Sequence, residues 1–265
     1  MSMSLVVGST RRNLIALAFF LFFYGAFGAL LFFKQESIVY QPWPQDFDNC
    51  PALTSAERVT HQDTRIYFKN NGPKIVVIYH GNAGSACDRA FMASFFEQYG
   101  YSYALVEYAG YSNDAVSPRH DRVKKDVEHI VSFLEEHEFR QVMVVGESIG
   151  TGAAAFHAAI KSPSKLVLIS PFTDLIDIAR HRFWFYPTLL LVKNAFDNQS
   201  LLSRYLGPVL VLHGDADTII QTSLGKELFE SLQSKEKHME IIQGAGHNTM
   251  FEYPATYESI GAFAR

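Results

Sequence analysis

The apolar and polar positions of this chain separate an apolar N-terminal segment from a longer alternating part. Residues 14–33 form twenty consecutive positions without a charge, mostly Leu, Phe and Ala. As an α-helix, a segment of this length spans about 30 Å, which matches the hydrocarbon core of a bilayer. The pattern therefore predicts a transmembrane anchor over residues 13–34, a short N-terminus over 1–12 and a folded domain over 35–265.

A cleaved signal peptide is the alternative interpretation of the same apolar segment. Arg11 and Arg12 provide a basic start, and the small residues Ala26 and Gly28 would suit a peptidase. However, the apolar run is longer than that of most signal peptides and continues past this cleavage point, which favours retention. Only Lys34 follows the run closely, so the positive-inside rule predicts a cytoplasmic N-terminus and a folded domain on the non-cytoplasmic side, periplasmic or luminal.

Beyond the apolar segment, short apolar runs alternate with stretches of helical length. The predicted buried strands are residues 75–79, 103–106, 142–145, 166–169, 209–212 and 239–242. The predicted helices lie near residues 88–98, 119–137, 150–161, 224–233 and 254–264. This alternation predicts an α/β fold with a mostly parallel sheet that is flanked by helices on both faces. Residues 37–40 and 64–68 are predicted to add an antiparallel edge.

Residues 171–206 interrupt this alternation. They contain no clear strand but include the aromatic sequence 181–187 and the apolar run 189–192. We interpret them as a small helical cap over the ligand-binding end of the sheet. The cap's aromatic side chains, including Trp184, are expected either to pack within the cap or to line a pocket. A cap close to a membrane could also admit lipid.

Composition and charge exclude several classes of protein. Apolar residues make up 48% of the chain and charged residues 19%, which is typical of a globular enzyme and unlike a disordered chain. The formal net charge is -4 and no long basic run is present, so we expect no nucleic-acid partner. The histidines are scattered and no Cys-x-x-Cys pair occurs, so we expect no metal. Cys50 and Cys87 could form a disulfide in an oxidising compartment or remain two free thiols.

Ser148 is the candidate nucleophile. It is the central residue of Gly-x-Ser-x-Gly at 146–150, which follows an apolar strand and precedes an Ala-rich helix. Glycines on both sides let the backbones approach closely, so that a serine hydroxyl on a tight strand-to-helix turn stands exposed. The backbone amide of Ile149, at the start of the helix, is predicted to be one donor of an oxyanion hole.

A serine hydroxyl needs a general base and an acidic residue that orients the base. Asp217 follows the predicted strand 209–212, and His247 follows the predicted strand 239–242. Ser148, Asp217 and His247 thus occur in the order nucleophile, acid and base, each after a strand of a parallel sheet. Asp215 is the rival acid, and one of the two aspartates is expected to be a turn residue that hydrogen-bonds its own backbone.

The turn after the predicted strand 75–79 supplies the remaining candidate group. Its sequence is His80-Gly81-Asn82-Ala83-Gly84, and the backbone amide of Asn82 is predicted to be the second oxyanion donor. His80 precedes the turn, and we interpret it as a hydrogen-bonded scaffold residue rather than a catalytic group.

These motifs resemble a known family. The segments that carry the resemblance are 80–82, 107–112, 146–150, 170–173, 213–217 and 244–247. Over residues 37–265 they look like the membrane-tethered serine hydrolases of the α/β-hydrolase-domain family, a group that includes protein depalmitoylases. Within the wider α/β-hydrolase superfamily are esterases, thioesterases and lysophospholipases. The resemblance implies hydrolysis of an acyl ester or thioester through an acyl-enzyme, without a cofactor.

Two departures from the family pattern affect local loops. Ala109 replaces the more usual Arg of a Tyr-Arg-Gly-Tyr segment, and Ile219-Ile220 replaces the valine and proline common after the acidic residue. The cysteine-rich N-terminus of the depalmitoylases is missing as well, so their substrate is not implied. The preferred hypothesis is a carboxylesterase-, thioesterase- or lipase-like serine hydrolase that acts on small or lipidic acyl substrates. The alternatives are a catalytically idle membrane-tethered scaffold with the same fold, or a peptidase.

Overall fold

The computed structural model describes residues 3–193 and 196–265. Its centre is an eight-stranded sheet with the order β1-β2-β4-β3-β5-β6-β7-β8. The strands are β1 Glu57–His61, β2 Thr64–Lys69, β3 Lys74–Tyr79, β4 Ser102–Glu107, β5 Gln141–Glu147, β6 Lys165–Ile169, β7 Val209–Gly214 and β8 Lys237–Ile242. Strands β3 to β8 pair in parallel, and all six predicted strands are present, although β8 at the edge is only partly buried.

The sheet has an antiparallel edge as predicted, but only one of the two strands predicted for it is present. The edge consists of β1 and β2, which form a hairpin through Gln62 and Asp63, both with positive φ. Residues 37–40 are not a strand, because helix α1 continues from the apolar segment to Val39. The sequence of β1, Glu-Arg-Val-Thr-His, is mostly polar because this edge strand is partly exposed, so its apolar pattern is weak.

Nine helices are present in the described part of the chain. They are α1 Met3–Val39, α2 Ala90–Glu97, α3 His120–Glu136, α4 Gly150–Ile160, α5 Leu175–Arg182, α6 Thr188–Leu191, α7 Asn198–Leu202, α8 Thr222–Ser231 and α9 Pro254–Ala264. The helices α3, α4 and α8 cover one face of the sheet, and α2 and α9 cover the other. Alternate residues of each central strand enter the two cores, for example Val77 on one face and Val76 on the other.

Helix α1 is long and apolar. From Arg11 to Val39 it meets the length and composition of a membrane span, with a mean hydropathy of 2.4 in its most apolar window. Large side chains such as Phe22 and Phe33 are exposed. After α1 the chain crosses to the sheet through a Pro-containing connection, in which Cys50 forms a disulfide with Cys87. This bond ties the connection to the segment that follows the β3 turn.

The region predicted as a cap lies between β6 and β7. Three short helices, α5, α6 and α7, occupy its described residues. Asp174 and Asp197 cap the N-termini of α5 and α7 and join the two segments through an isolated antiparallel bridge. The outer part of this region, around α6, contacts helix α1.

Candidate active site

Ser148 lies on a tight turn between β5 and α4. Its φ is 53°, in the left-handed region that residues other than glycine rarely adopt. A Cβ at Gly150 would collide with the backbone carbonyls of Tyr79 and His80, so only glycine allows this close approach of α4 to β3. The Ser148 amide is fixed by a hydrogen bond to the Ile169 carbonyl at 2.8 Å. The neighbouring strands therefore hold the strained backbone in place.

The structure brings Ser148, His247 and Asp217 together. Ser148 Oγ lies 2.8 Å from His247 Nε2, and His247 Nδ1 lies 2.7 Å from Asp217 Oδ2. Along the chain, His247 lies 99 positions after Ser148 and 30 positions after Asp217, but each of the three follows the carboxyl end of a parallel strand. With this geometry the imidazole can accept the hydroxyl proton while the carboxylate orients the ring.

The surroundings of Asp217 keep it ionised. Its buried carboxylate also accepts hydrogen bonds from the backbone amides of Ile219 and Ile220, both at 2.9 Å, and His213 Nε2 lies 3.3 Å away. Burial alone would raise the pKa of Asp217, but the hydrogen bonds from His213, His247 and Ile220 together hold it far below its usual value.

Asp215 does not reach the imidazole. Its carboxylate accepts a hydrogen bond from the Gly244 amide at 2.6 Å, which makes it a turn residue between the loops after β7 and β8. Of the two aspartates considered from the sequence, the structure thus joins Asp217 to His247. Asp217 is also the one that hydrogen-bonds the backbone of its own turn, whereas Asp215 bonds the Gly244 amide in the next loop.

The two predicted oxyanion donors, Ile149 and Asn82, border the same cavity as Ser148. Neither of their backbone amides donates a hydrogen bond to another residue in the ranges 3–193 and 196–265. Both polar atoms of the Asn82 side chain are hydrogen-bonded, since its Oδ1 accepts from the Gln41 amide at 2.7 Å and its Nδ2 donates to the Val39 carbonyl at 2.5 Å. The end of α1 is therefore hydrogen-bonded directly to this loop.

An ion pair next to Ser148 was not predicted from the sequence. Arg89 Nε and Nη2 donate to the two carboxylate oxygens of Glu147 at 2.7 and 2.9 Å, and each side chain is only 16% exposed. Burial opposes ionisation of Glu147, but Arg89 and, more weakly, His80 hold the pKa of Glu147 below its usual value. The variable position of Gly-x-Ser-x-Gly gave no signal of this partner, which lies 58 residues earlier.

A cavity of about 770 Å³ connects these groups. Ser148, His247 and Arg89 lie at its base, α5 and α6 form one wall, and the last turns of α1 form another, including Leu31, Gln35 and Ile38. Trp184, which the sequence left as either a packing or a pocket residue, is 80% exposed and does not line the cavity. No group of three His, Cys, Asp or Glu side chains in the described residues could hold a metal ion.

Several known proteins are similar to this chain in sequence. A family model described as serine aminopeptidase, S33, matches residues 179–254. A Mycobacterium tuberculosis protein of uncharacterised function is 26% identical, over 84% of both chains. Human alpha/beta hydrolase domain-containing protein 17B is 28% identical over 73% of this chain and 67% of its own. The zebrafish lysophosphatidylserine lipase ABHD12 is 24% identical over 75% of this chain and 59% of its own.

Solved structures agree with these relatives. An esterase from Pyrococcus furiosus superposes with a TM-score of 0.68, at 18% identity over 85% of this chain and 96% of its own. A monoacylglycerol lipase from Paleococcus ferrophilus has a TM-score of 0.58, at 19% identity over 75% of this chain and 98% of its own. The chain belongs to the α/β-hydrolase superfamily. The relatives and structural neighbours of this α/β-hydrolase include proteins that are named esterases and lipases.

The departures of this α/β-hydrolase from the family pattern have local structural partners. Position 220, where family members commonly carry proline, is an isoleucine whose amide donates to Asp217, a bond that proline could not make. In the motif at 107–112, the Ala109 amide donates to Asp126 at 2.8 Å. The same motif supports the β3 turn, since the Tyr111 hydroxyl donates to Asn82 Oδ1 at 3.0 Å.

His80 has the scaffold surroundings that were expected from the sequence. It is fully buried, and its Nδ1 donates to the Gly81 carbonyl at 2.7 Å, while Nε2 lies 3.5 Å from the buried Glu107. The Tyr108 hydroxyl donates to the His80 carbonyl at 3.0 Å. His80 therefore stabilises the backbone at the end of β3 and does not face the cavity.

Proposed function

We propose that this chain is a membrane-tethered serine hydrolase that cleaves carboxylic ester or thioester bonds through an acyl-enzyme on Ser148. The observation that carries the proposal is the continuous hydrogen-bonded series Ser148–His247–Asp217, with distances of 2.8 and 2.7 Å. Strained backbone at Ser148 supports it, because such strain concentrates at functional sites.

The reaction follows from these contacts in two steps. In the first, His247 Nε2 takes the proton from Ser148 Oγ as the oxygen attacks the acyl carbon, and the imidazolium then gives that proton to the departing alcohol or thiol. In the second, His247 takes a proton from water, the hydroxide oxygen attacks the acyl-serine, and Ser148 Oγ regains a proton as the carboxylic acid leaves. Asp217 remains ionised throughout and orients the imidazole.

Negative charge on the acyl oxygen is stabilised by the amides of Ile149 and Asn82. Both amides belong to residues on the cavity and have no hydrogen-bond acceptor among the described residues. Unpaired donors at the start of a helix and in a tight turn suit a developing oxyanion, because they need no rearrangement during the reaction. Arg89 is paired with Glu147 and supports the turn rather than binding the oxyanion.

The cavity favours a substrate with an acyl chain. Its walls carry apolar side chains from the cap and α1, including Phe183, Leu191, Leu31 and Ile38. A volume of about 770 Å³ is in the range of small-molecule sites and exceeds the need of a short acyl group. The names of related proteins, a lysophosphatidylserine lipase and a monoacylglycerol lipase, point to the same chemical class.

Helix α1 anchors the enzyme, and the hydrolase domain lies on the non-cytoplasmic side. The two basic residues Arg11 and Arg12 precede the span, and the Cys50–Cys87 disulfide is typical of an oxidising compartment. Cells with an intact membrane should protect the C-terminal domain from a protease on the cytosolic side. Two free thiols in protein isolated from its native compartment, or digestion from the cytosolic side, would contradict this orientation.

Active-site labelling tests the proposed chemistry. Full-length protein in detergent micelles should react with a fluorophosphonate probe at Ser148, while Ser148→Ala should not react. Short- and long-chain nitrophenyl esters and thioesters then determine acyl length and bond type. The absence of labelling in a folded wild-type protein would refute the proposal and make a catalytically idle scaffold the better interpretation.

A peptidase is the second candidate, because the matching family model is described as a serine aminopeptidase. The same series of residues could attack an amide if an acid protonates the leaving amine. Ester and anilide substrates with the same acyl part separate the two functions. Cleavage of the ester alone supports the esterase, and comparable rates on both substrates support the peptidase.

A further inference from the structure

Ten consecutive residues of the cap carry no charge. They are residues 183–192, here called the apolar strip, with the sequence Phe-Trp-Phe-Tyr-Pro-Thr-Leu-Leu-Leu-Val. Several of its large side chains face outward, with exposed fractions of 80% for Trp184, 68% for Leu189 and 78% for Leu190. A monomeric protein in water rarely exposes so many large apolar side chains together, so this surface indicates an apolar partner.

The apolar strip lies along helix α1. Near its start, the ring of Tyr186 stacks on that of Tyr24 with 4.3 Å between centroids, and the two hydroxyls bond the backbone of the opposite segment. At its other end, the amide of Lys193 donates to Gln35 Oε1 at 2.7 Å. The strip therefore runs parallel to α1, from Tyr24 to Gln35.

This register fixes how far the strip follows the apolar segment. Tyr24 lies ten positions before Lys34, which is the first charged residue after the uncharged run of α1. Ten helical residues correspond to about 15 Å along the axis. If α1 spans a bilayer as proposed, Trp184 and its neighbours lie below the polar surface of that bilayer, beside the lipid-facing side chains of α1.

Part of the strip's backbone is hydrogen-bonded within the protein. The amides of Tyr186, Thr188 and Leu190 donate to backbone carbonyls, and Pro187 has no N–H group. The carbonyl of Phe185 accepts a hydrogen bond from the Tyr24 hydroxyl at 2.7 Å. Polar backbone groups that are paired within the protein are the condition for contact with hydrocarbon.

Basic residues flank the strip on both sides. Arg180 and Arg182 precede it and Lys193 follows it, while Lys34 lies at the matching end of α1. Long basic side chains next to an apolar segment extend to the headgroup region, where they contact phosphate groups. Lys34 and Lys193, at the Gln35 end of the strip, therefore mark the level of the headgroups.

Both membrane-facing elements also form walls of the active-site cavity. Leu31 and Ile38 of α1 and Phe183 and Leu191 of the cap line the same space that reaches Ser148. The exposed residues Trp184, Leu189 and Leu190 lie outside it. The cavity is therefore bounded by the two elements that would contact the leaflet, with the apolar side chains of the strip outside.

We propose that the apolar strip inserts into the bilayer beside α1, so that an ester held in that leaflet reaches Ser148 between α1 and the cap. This inference rests on the proposed esterase activity and deepens it by assigning a bilayer-resident amphiphilic ester as substrate. The acyl chain passes sideways from the leaflet into the cavity, and the polar end of the substrate remains near the basic residues.

The depth of Trp184 tests the insertion directly. The chain contains only two tryptophans, so Trp43→Phe leaves Trp184 as the single fluorophore and Trp184→Phe leaves Trp43, which follows the end of α1. Full-length variants are placed in nanodiscs of phosphatidylcholine brominated at mid-chain. We expect bromine to quench Trp184 at least twice as strongly as Trp43. Equal or weaker quenching of Trp184 would overturn the insertion.

Access through the leaflet is tested with a double variant. Leu189→Glu with Leu190→Glu should lower hydrolysis of a long-chain nitrophenyl ester embedded in the nanodisc at least tenfold. Hydrolysis of water-soluble nitrophenyl butyrate should stay within about twofold, since neither residue lines the cavity. The matched control is Leu206→Glu, because Leu206 is 70% exposed but lies before β7, at the opposite edge of the sheet.

Fluorophosphonate labelling of Ser148 separates the two levels of the proposal. If the double variant is labelled and its ratio of long- to short-chain activity equals that of the wild type, access through the leaflet is overturned. If the double variant loses labelling, it is misfolded. The ratio of long- to short-chain activity is then measured on Leu190→Ser, and this ratio together with the depth of Trp184 decides the proposal. If wild-type protein is not labelled at all, the esterase proposal fails, while the quenching of Trp184 still decides the insertion.

Discussion

The substitution Arg89→Met tests the buried ion pair between Arg89 and Glu147, next to Ser148. Methionine keeps most of the aliphatic stem of Arg89 but removes both hydrogen bonds to Glu147. The Glu147 carboxylate, next to Ser148, would then remain largely buried without its main partner. Gly81 packs on the pair, so that a methyl group there would lie 3.2 Å from Glu147 Cδ and 3.3 Å from Arg89 Nη2. The pair thus supports both the nucleophile turn and the loop that carries Asn82.

The magnitude follows from burial and charge. Removal of one partner from a fully buried ion pair costs about 3–5 kcal/mol, and exposure of 16% on each side reduces this to about 2–3 kcal/mol. For a domain of this size, such a loss lowers the midpoint of thermal unfolding by roughly 4–12 °C. Because both proposed oxyanion donors, Ile149 and Asn82, lie on turns that this ion pair supports, fluorophosphonate labelling should slow by about tenfold or more.

The pH dependence of this loss has a definite sign. In the wild type, the lowered pKa of Glu147 adds stability above its ordinary value of 4.5, and this stability disappears as the pH falls through the folded-state pKa. Without Arg89, burial raises the pKa of Glu147 instead. The penalty of Arg89→Met should therefore be largest at neutral pH and should shrink as the pH approaches and passes below 4.5.

Thermal unfolding of the full-length protein in detergent micelles, followed by near-UV circular dichroism, measures this effect. Arg119→Met is the control, because the Arg119–Asp121 pair is more than half exposed and contributes little. Arg89→Met with Glu147→Gln should recover much of the lost stability, since it removes the unpaired charge. A single variant as stable as the control, or a double variant no better than the single one, would refute the reasoning.

Three further predictions concern other parts of the structure. Asp217→Asn should lower turnover about 10⁴-fold, because the imidazole loses its orienting partner, whereas Asp215→Asn should stay within about tenfold of wild type in ester hydrolysis. His157 is fully buried beside Tyr79, and burial lowers its pKa to about 3. The unfolded chain takes up that proton below about pH 6.5, so lowering the pH from 7 to 5 should destabilise wild type by about 2 kcal/mol more than His157→Gln in urea titrations. Cys50→Ala with Cys87→Ala opens a loop with a sequence separation of 37 residues and should cost about 4 kcal/mol, measured by thermal unfolding.

Each of these has a contradicting outcome. Equal turnover losses in the two aspartate variants would show that the acid role is not specific to Asp217. A His157→Gln protein with the wild-type pH profile would place the titrating group elsewhere. We expect the double-cysteine variant and reduced wild type to unfold at the same temperature, below that of oxidised wild type. If both unfold at the temperature of oxidised wild type, the disulfide contributes nothing to stability.

Much of the fold was predictable because the sheet is parallel and covered on both faces. Strands buried on both sides read as continuous apolar runs, so β3 to β7 were visible in the sequence, and Gly-x-Ser-x-Gly marked the turn after β5. The order of Ser148, Asp217 and His247 was equally visible. These residues meet because the carboxyl ends of parallel strands lie at one edge of the sheet.

Other features required contacts that no local pattern encodes. The sequence alone could not choose between Asp215 and Asp217, since both follow β7 and only the fold directs one toward His247. Residues 37–40 have strand-like composition, but continuation of α1 overrides this local preference. Arg89 follows the β3 turn and reaches Glu147 at the end of the neighbouring strand β5, 58 residues later in the chain. Long-range pairs of this kind have no fixed spacing in the sequence.

If α1 spans a bilayer as proposed, its hydrogen bonds to Asn82 make hydrolysis sensitive to the thickness of that bilayer. Val39 and Gln41 hold the Asn82 side chain, and Leu31 and Gln35 of the same helix border the cavity. A spanning helix adjusts its tilt to the thickness of the hydrocarbon layer. A change of tilt that shifts Val39 also shifts the loop with the Asn82 amide. Hydrolysis should therefore vary with lipid chain length in reconstituted membranes, even for a substrate that never enters the bilayer.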